Sequence, residues 1–305
     1  MRCIKRSLSR QRILKDQING SENQLNNKFV QIFNPETWTQ VQRFLTFFQA
    51  KYSFTQRQQS AIFGVEGQFN RVHRLIGLIA QVIPSLEQER RELEKNGISN
   101  GERSKELAAL VESIYVGLYS VLDCVRGTIS AIYAKSRGIS SKSTSKLFKN
   151  AQNGLIEETV PKEIRDALSE SDWFSEFQNL RTIIIHFNPG SCSFDSSKNK
   201  LTYLNNEVHQ GANPLVIDDV ASDLNALIEK INVLLDRVFR AINCTLNDDQ
   251  VLTLCGTYKG RLYQRSISLS DSSSFDSGVC ESKKWFDNNA NFRCPVAKEC
   301  GAYRK

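Results

Sequence analysis

The chain has 305 residues and a formal net charge of +7, with 40% hydrophobic and 24% charged residues. That length allows one large core or two domains, and the composition is ordinary for a soluble globular protein. The longest apolar runs are far shorter than a membrane span, and the basic N-terminus lacks the apolar core of a secretory signal. We therefore expect a cytoplasmic protein that makes no membrane contact.

Positive charge is concentrated in two stretches. Residues 1–15 contain six Lys or Arg side chains and no acid, and the serine-rich residues 135–149 contain five. Such patches fit contact with a polyanion such as RNA. The same runs are also typical of solvated surface, so charge alone leaves both interpretations open.

The first helix signals lie in the N-terminal third. Asn34-Pro35-Glu36-Thr37 supplies a cap residue, a proline at the first helical position and an acid. A second apolar pattern begins at about Val65. Pro84 is expected to end or kink that helix, and Ser85 with Gln88 is expected to cap a continuation that Asn96-Gly97 closes.

The later part of the bundle is predicted from longer patterns. Apolar residues at three-to-four spacing predict a seven-turn helix from Leu107 to Ile132, and Pro161 is predicted to begin a short one. In residues 191–205 polar and apolar side chains alternate on both sides of a polar turn, which predicts a hairpin. A last helix is predicted from Pro214, Asp218 and Asp219 onward, and its predicted apolar face includes Ile217.

These patterns predict an all-α fold, a bundle of about five long helices with a small inserted hairpin. Helical periodicity stops near residue 246, where Ser, Asp, Gly and Cys become frequent. The predicted parts are a basic arm at 1–27, an N-terminal helix at 28–64, a helical bundle at 65–246 and a small cysteine-containing module at 247–305.

One predicted helix end carries the candidate chemistry, in the segment Leu180–Gly190, LRTIIIHFNPG. On a helical wheel Arg181 lies at the edge of the apolar arc, and His186 lies about 140° further round. Because the two side chains flank a second face, one helix cannot close a site from them. The expected core arc consists of Trp173, Phe177, Leu180, Ile184 and Phe187.

An arginine and a histidine separated by four residues, at the end of a late helix in a bundle, resemble the motif of the HEPN (higher eukaryotes and prokaryotes nucleotide-binding) family. The resemblance covers about residues 65–245. It implies a metal-independent endoribonuclease that works as a homodimer with a composite site, often a toxin or anti-phage effector with an antitoxin or regulatory partner. The family usually has Asn, Asp or His directly after the arginine, where this chain has Thr182.

In that interpretation His186 moves a proton while an RNA 2′-hydroxyl attacks the adjacent phosphorus, and Arg181 neutralises charge on the phosphate. Thr182 or Gln178 positions the substrate, and no catalytic cofactor is needed. The alternative is that His186 only complements the helix dipole and that the bundle is a non-catalytic RNA- or protein-binding module. The chain lacks a phosphate-binding glycine loop, a His-Glu-x-x-His motif and a serine nucleophile elbow.

Four cysteines are crowded into the last predicted module. One structural zinc bound by four thiolates is one explanation, although no two of them are two to four residues apart. Free cysteines and disulfides are the alternatives, and a third interpretation of the chain is a structural bundle with a metal-held tail. The candidate metal ligands are Cys255, Cys280, Cys294 and Cys300.

Overall fold

The structure is a computed structural model. It describes residues 30–32, 39–98, 101–210, 213–258, 260–271, 277–289 and 292–304. The chain divides into two compact units, one formed by residues 43–246 and the other by residues 1–42 with 247–305. The predicted basic arm and the helix-start signal at residues 34–37 lie outside the described residues.

Helices build most of the larger unit. Their bounds are α1 Thr39–Phe47, α2 Gln56–Asn96, α3 Glu102–Ile132, α4 Thr144–Gln152, α5 Lys162–Ser169, α6 Phe174–His186 and α7 Val220–Asn243. The long helix predicted at Leu107–Ile132 and the short helix predicted after Pro161 are confirmed as α3 and α5. Two further short helices, α8 Lys283–Asp287 and α9 Gly301–Arg304, lie in the C-terminal part of the chain.

The prediction of an all-α fold is wrong, because both units contain an antiparallel sheet. The described strands are β1 Val30–Ile32, β2 Ser191–Asp195, β3 Lys200–Gln210, β4 Asn213–Ile217, β5 Val251–Tyr258, β6 Arg261–Ile267 and β7 Val279–Cys280. The larger unit has the order β2-β3-β4, and the smaller has β1-β5-β6-β7.

The predicted hairpin is confirmed as β2 and β3, and β4 adds a third strand. Ile217 ends β4 and does not belong to the stripe of the last helix. That helix, α7, starts after Asp219, whose carboxylate accepts a hydrogen bond from the Ser222 backbone N–H at 3.1 Å. The cap explains why the chain turns from strand to helix at this point.

α3 is the centre of the larger unit, where it contacts α2, α4, α6, α7 and β2. It is the one described helix that is long and apolar enough to cross a membrane, and 61% of its apolar window is buried within the protein. A core helix has the same properties. Seven residues of the predicted stripe are at most 1% exposed: Leu107, Val111, Ile114, Leu118, Val121, Val125 and Ile129.

α2 runs unbroken through Pro84, so the helix does not end there and is one element on both sides of the proline. Ser85 does not cap a new helix, because its hydroxyl donates to the Val82 carbonyl one turn earlier at 2.6 Å. The capping box lies instead at Thr55 and Gln58, and the predicted stop at Gly97 is confirmed by its left-handed φ of 72°.

Small residues allow α2 and α3 to pack closely. A Cβ added to Gly127 would lie 2.6 Å from the Ala61 Cβ, and one added to Gly64 would lie 2.6 Å from the Cys124 Sγ. Both distances are shorter than non-bonded atoms tolerate. The seam between the two longest helices therefore depends on glycine at these positions.

We predict that Gly127→Ala lowers the free energy of unfolding by about 1–3 kcal/mol, because the added methyl group overpacks the seam. Gly77→Ala is the matched control on α2, where a Cβ meets no atom within 4 Å. The control should leave stability unchanged or raise it by about 0.5–1 kcal/mol. Urea unfolding measures both, and equal effects would contradict the packing argument.

Candidate active site

α6 buries fewer residues than its apolar sequence suggests. Phe174, Phe177 and Ile184 are buried, whereas Trp173 and Leu180 are only partly covered. Phe187, predicted to belong to the core arc, is 47% exposed, because it follows the last helical residue and its backbone is extended. The end of α6 is therefore a partly apolar surface and not a core element.

Arg181 lies at the edge of the buried face of α6, as predicted. Its guanidinium carbon stands 5.0 Å from the centroid of the Tyr119 ring on α3, a cation–π arrangement. Its Nε is buried and has no hydrogen-bond partner among the described residues. Because the Nε is shielded from solvent, the guanidinium would meet an anion through its other nitrogens.

Tyr119 is at the centre of a small charged cluster. Burial and the nearby Asp123 carboxylate raise the pKa of the Tyr119 hydroxyl, whereas Arg181 and Arg126 oppose that rise. The same ring packs on Phe174, with centroids 6.0 Å apart. Arg181, Arg126 and Asp123 therefore lie around the Tyr119 hydroxyl where α3 meets α6.

Arg126 attaches the predicted basic segment to this cluster. Its Nε donates to the Thr144 hydroxyl at 3.1 Å, and its terminal nitrogen donates to the Ser141 carbonyl. The Thr144 hydroxyl in turn donates to Asp123. The basic side chains of the segment point to solvent close to this anchor: Lys135, Arg137, Lys142, Lys146 and Lys149 are all exposed.

His186 and Thr182 are both exposed. Within one chain, His186 does not lie beside Arg181. His186 is the last residue of α6. It lies about 7.5 Å from Arg181 along the helix axis and about 140° round it. The Thr182 hydroxyl donates to the Gln178 carbonyl at 2.9 Å, so it must rotate before it can bind a phosphate.

The chain after His186 is held by one carboxylate of α3. Glu112 Oε1 accepts hydrogen bonds from the Gly190 backbone N–H at 2.9 Å and from the Tyr203 hydroxyl at 2.7 Å. Burial and this bond to Glu112 raise the pKa of Tyr203. A Cβ at position 190 would lie 2.6 Å from the Tyr203 ring and from the Leu204 carbonyl, so only glycine fits.

Asn188 adds a second fastening at the same turn. Its side-chain Nδ2 donates to both carboxylate oxygens of Glu207, at 2.7 and 2.9 Å. Its backbone carbonyl accepts a hydrogen bond from the Asn205 side-chain amide at 2.9 Å. The segment predicted simply to stop the helix therefore also fixes the end of α6 to strand β3. This fixes the position of the backbone that carries His186.

Sequence reasoning did not identify Glu112, Tyr119, Asp123 or Arg126 as site residues. The last three were detectable in part, because they recur at four- and three-residue spacing beside the apolar stripe of α3. A polar stripe next to a core stripe is usually solvated surface, which is why it carried no functional signal. Glu112 gave no local signal, since its partners are 78 and 91 residues away.

A comparison with family models, curated proteins and solved structures finds no match to this chain. In the described part of the chain, no group of three or more His, Cys, Asp or Glu side chains is arranged to hold a metal ion. The HEPN resemblance therefore remains a prediction drawn from the motif.

We predict that Glu112→Ala lowers the free energy of unfolding by about 1–3 kcal/mol, because it leaves the buried Gly190 N–H and the Tyr203 hydroxyl without an acceptor. Glu106→Ala on the same helix is the control. Its carboxylate forms a solvent-exposed pair with Arg103, and such pairs contribute little to stability. Chemical denaturation compares the two, and a larger loss for the control would refute the anchoring role.

Proposed function

We propose that this protein is a metal-independent endoribonuclease in which Arg181 and His186 act on RNA. The observation that carries the proposal is the position of Arg181, a half-buried cation where α6 meets α3. It lies over Tyr119, next to an exposed basic segment suited to a polyanion. His186 is open to solvent on the same helix.

The proposed reaction uses only these side chains and the substrate. The 2′-hydroxyl of RNA loses a proton and attacks the adjacent phosphorus, and the bond to the 5′-oxygen of the next nucleotide breaks. His186 transfers the proton, and Arg181 stabilises the charge that grows on the non-bridging oxygens. The products are a 2′,3′-cyclic phosphate and a 5′-hydroxyl end.

A homodimer solves the geometric difficulty of the site. Because Arg181 and His186 point in directions about 140° apart, one α6 cannot direct both at one phosphate. Two α6 helices facing each other would line one cleft with two copies of each. Ile185 and Phe187, which flank His186, are 42% and 47% exposed and offer apolar surface for such a contact.

Members of the HEPN family, whose motif Arg181 and His186 resemble, are often toxins or anti-phage effectors. We therefore propose a cytoplasmic toxin or anti-phage effector, controlled by an antitoxin or other regulatory protein. A non-catalytic RNA-binding module is the alternative, and it would use the same basic segment. Retention of RNA binding without cleavage would favour that alternative.

We predict that the purified protein cuts total RNA in the presence of EDTA. His186→Ala should lower the rate by about 10²–10⁴-fold, as expected for loss of a general acid–base group. Arg181→Ala should lower it by about 10²–10³-fold, as expected for loss of one charge-stabilising donor. Gel analysis of cleavage rates provides the measurement.

His73→Ala and Arg74→Ala are matched controls, since both side chains are exposed on α2. They should cut at the natural rate. Mixing the Arg181→Ala and His186→Ala proteins should restore part of the activity, because a mixed dimer keeps one arginine and one histidine in the shared cleft. Mixed dimers that form but stay inactive would contradict the composite site.

A further inference from the structure

The smaller unit has very little apolar core to hold it together. Within its described residues the buried apolar side chains are few: Val41, Tyr263, Ile267, Phe286, Cys300 and Ala302. Small units with so little buried surface usually need a metal or a crosslink to be stable. The described part of this unit is therefore of the kind that a metal or a crosslink commonly stabilises.

The sheet brings two cysteines to the two sides of β6. Cys255 lies on β5 at the irregularity where the register shifts between the pairs of Leu254 and Gly256. Cys280 lies on β7, paired with Arg265 of β6. Since neighbouring strands are about 4.8 Å apart, the two positions are separated by only two strand spacings.

Two more cysteines lie in the turn and short helix that follow. Cys294 opens the turn, and the Cys300 backbone N–H donates to the Val296 carbonyl at 2.9 Å at its end. Cys300 is buried, and α9, which begins directly after it, packs against β7. The fold thus returns the end of the chain to the strand that carries Cys280.

The four thiols are close enough to influence one another. Burial raises the pKa of Cys255 to about 11, and the thiols of Cys280, Cys300 and Cys294 add to that rise. Cys280 and Cys300 likewise contribute to a raised pKa of Cys294, after burial as the main cause. Together with the strand register and the contact of α9 with β7, this places the four cysteines, which are separated by up to 45 positions, in one region of the unit.

Two of these sulfurs accept hydrogen bonds from the backbone in the same local arrangement. The N–H groups of Ser282 and Lys283 donate to Cys280, two and three residues before them. Those of Val296 and Ala297 donate to Cys294 in the same way. Paired backbone donors favour the thiolate, which is the form that binds metal. They also fix its orientation, as hydrogen-bond partners of metal ligands commonly do.

We propose that Cys255, Cys280, Cys294 and Cys300 bind one zinc ion as four thiolates and that this ion holds the C-terminal unit together. Tetrahedral sulfur coordination is the arrangement that structural zinc prefers. Each thiol gives up its proton on binding, so the site carries excess negative charge. Arg265, which is 1% exposed and close to Cys255, supplies a compensating positive charge.

The sulfurs must draw together to form this site. Among the described residues no three potential ligands are already arranged around one point. All four cysteines are free thiols, so no disulfide has to break before they bind a metal. The proposal is independent of the proposed ribonuclease activity, because the cluster lies in the smaller unit.

Metal analysis of the full-length protein, purified under reducing conditions without added metal, tests the proposal. We expect one zinc per chain, lost in Cys280→Ser and in Cys294→Ser. Cys244→Ser is the control, since that exposed thiol lies outside the cluster and its loss should leave the zinc in place. If the variants are insoluble, cobalt exchanged into the natural protein should give the intense visible bands of four-thiolate tetrahedral coordination.

A protein without zinc in which these four thiols react freely with a thiol reagent would overturn the proposal. Mass analysis showing disulfides between them would overturn it as well. Iron in place of zinc would overturn the choice of metal. Weak cobalt bands, without the intensity of four thiolates, would show that the cluster does not bind as a set.

Discussion

Burial of α3 is the constraint on which the larger unit depends. Its apolar stripe contacts helices on several sides, and glycine at the α2 seam brings the two longest helices together. The polar residues beside that stripe are thereby fixed in direction. Tyr119 receives Arg181, Arg126 holds the basic segment, and Glu112 fastens the chain after His186. α3 therefore positions Arg181 and the basic segment, and together with β3 it fixes the end of α6.

Helix geometry limits what that site can be. Arg181 and His186 occupy one helix, yet they are separated by more than a third of a turn around its axis. The rigid attachments at Tyr119 and Glu112 keep α6 in place, so the two side chains cannot approach by bending the backbone. A second copy of the helix is the simplest source of complementary groups. The exposed apolar residues at the end of α6 fit that requirement.

The long helices could be predicted from the sequence because each buries a stripe with the helical period and ends at a recognisable signal, such as Gly97. The sheet of the smaller unit was missed, although β5 and β6 are eight and seven residues long, because its outer strands β1 and β7 have only three and two residues and Arg265 interrupts the apolar face of β6. In β6 the burial alternates only from Tyr263 to Ile267. A period of two over five residues is weak beside a polar, cysteine-containing background.

Arg181 and His186 were identified from a local motif, but their surroundings were not. The contact of Arg181 with Tyr119 and the bond of Gly190 to Glu112 join segments far apart in sequence, so they depend on the completed fold. Pro84 shows that contacts made in the completed fold can also outweigh a local sequence signal. A local signal to end the helix is overridden, because α2 still contacts α3 beyond Pro84, where the Ser104 N–H donates to the Glu89 carboxylate.

The central claim is that the RNA 2′-hydroxyl is the nucleophile and that no metal takes part. The most direct measurement compares two oligonucleotides that differ only by one 2′-deoxy substitution at the mapped cleavage position, both incubated with the protein and EDTA. The all-ribose strand should be cut to a 2′,3′-cyclic phosphate end, and the substituted strand should stay intact at that position. Cleavage of the deoxy position, or a failure to cut RNA at all, would contradict the account.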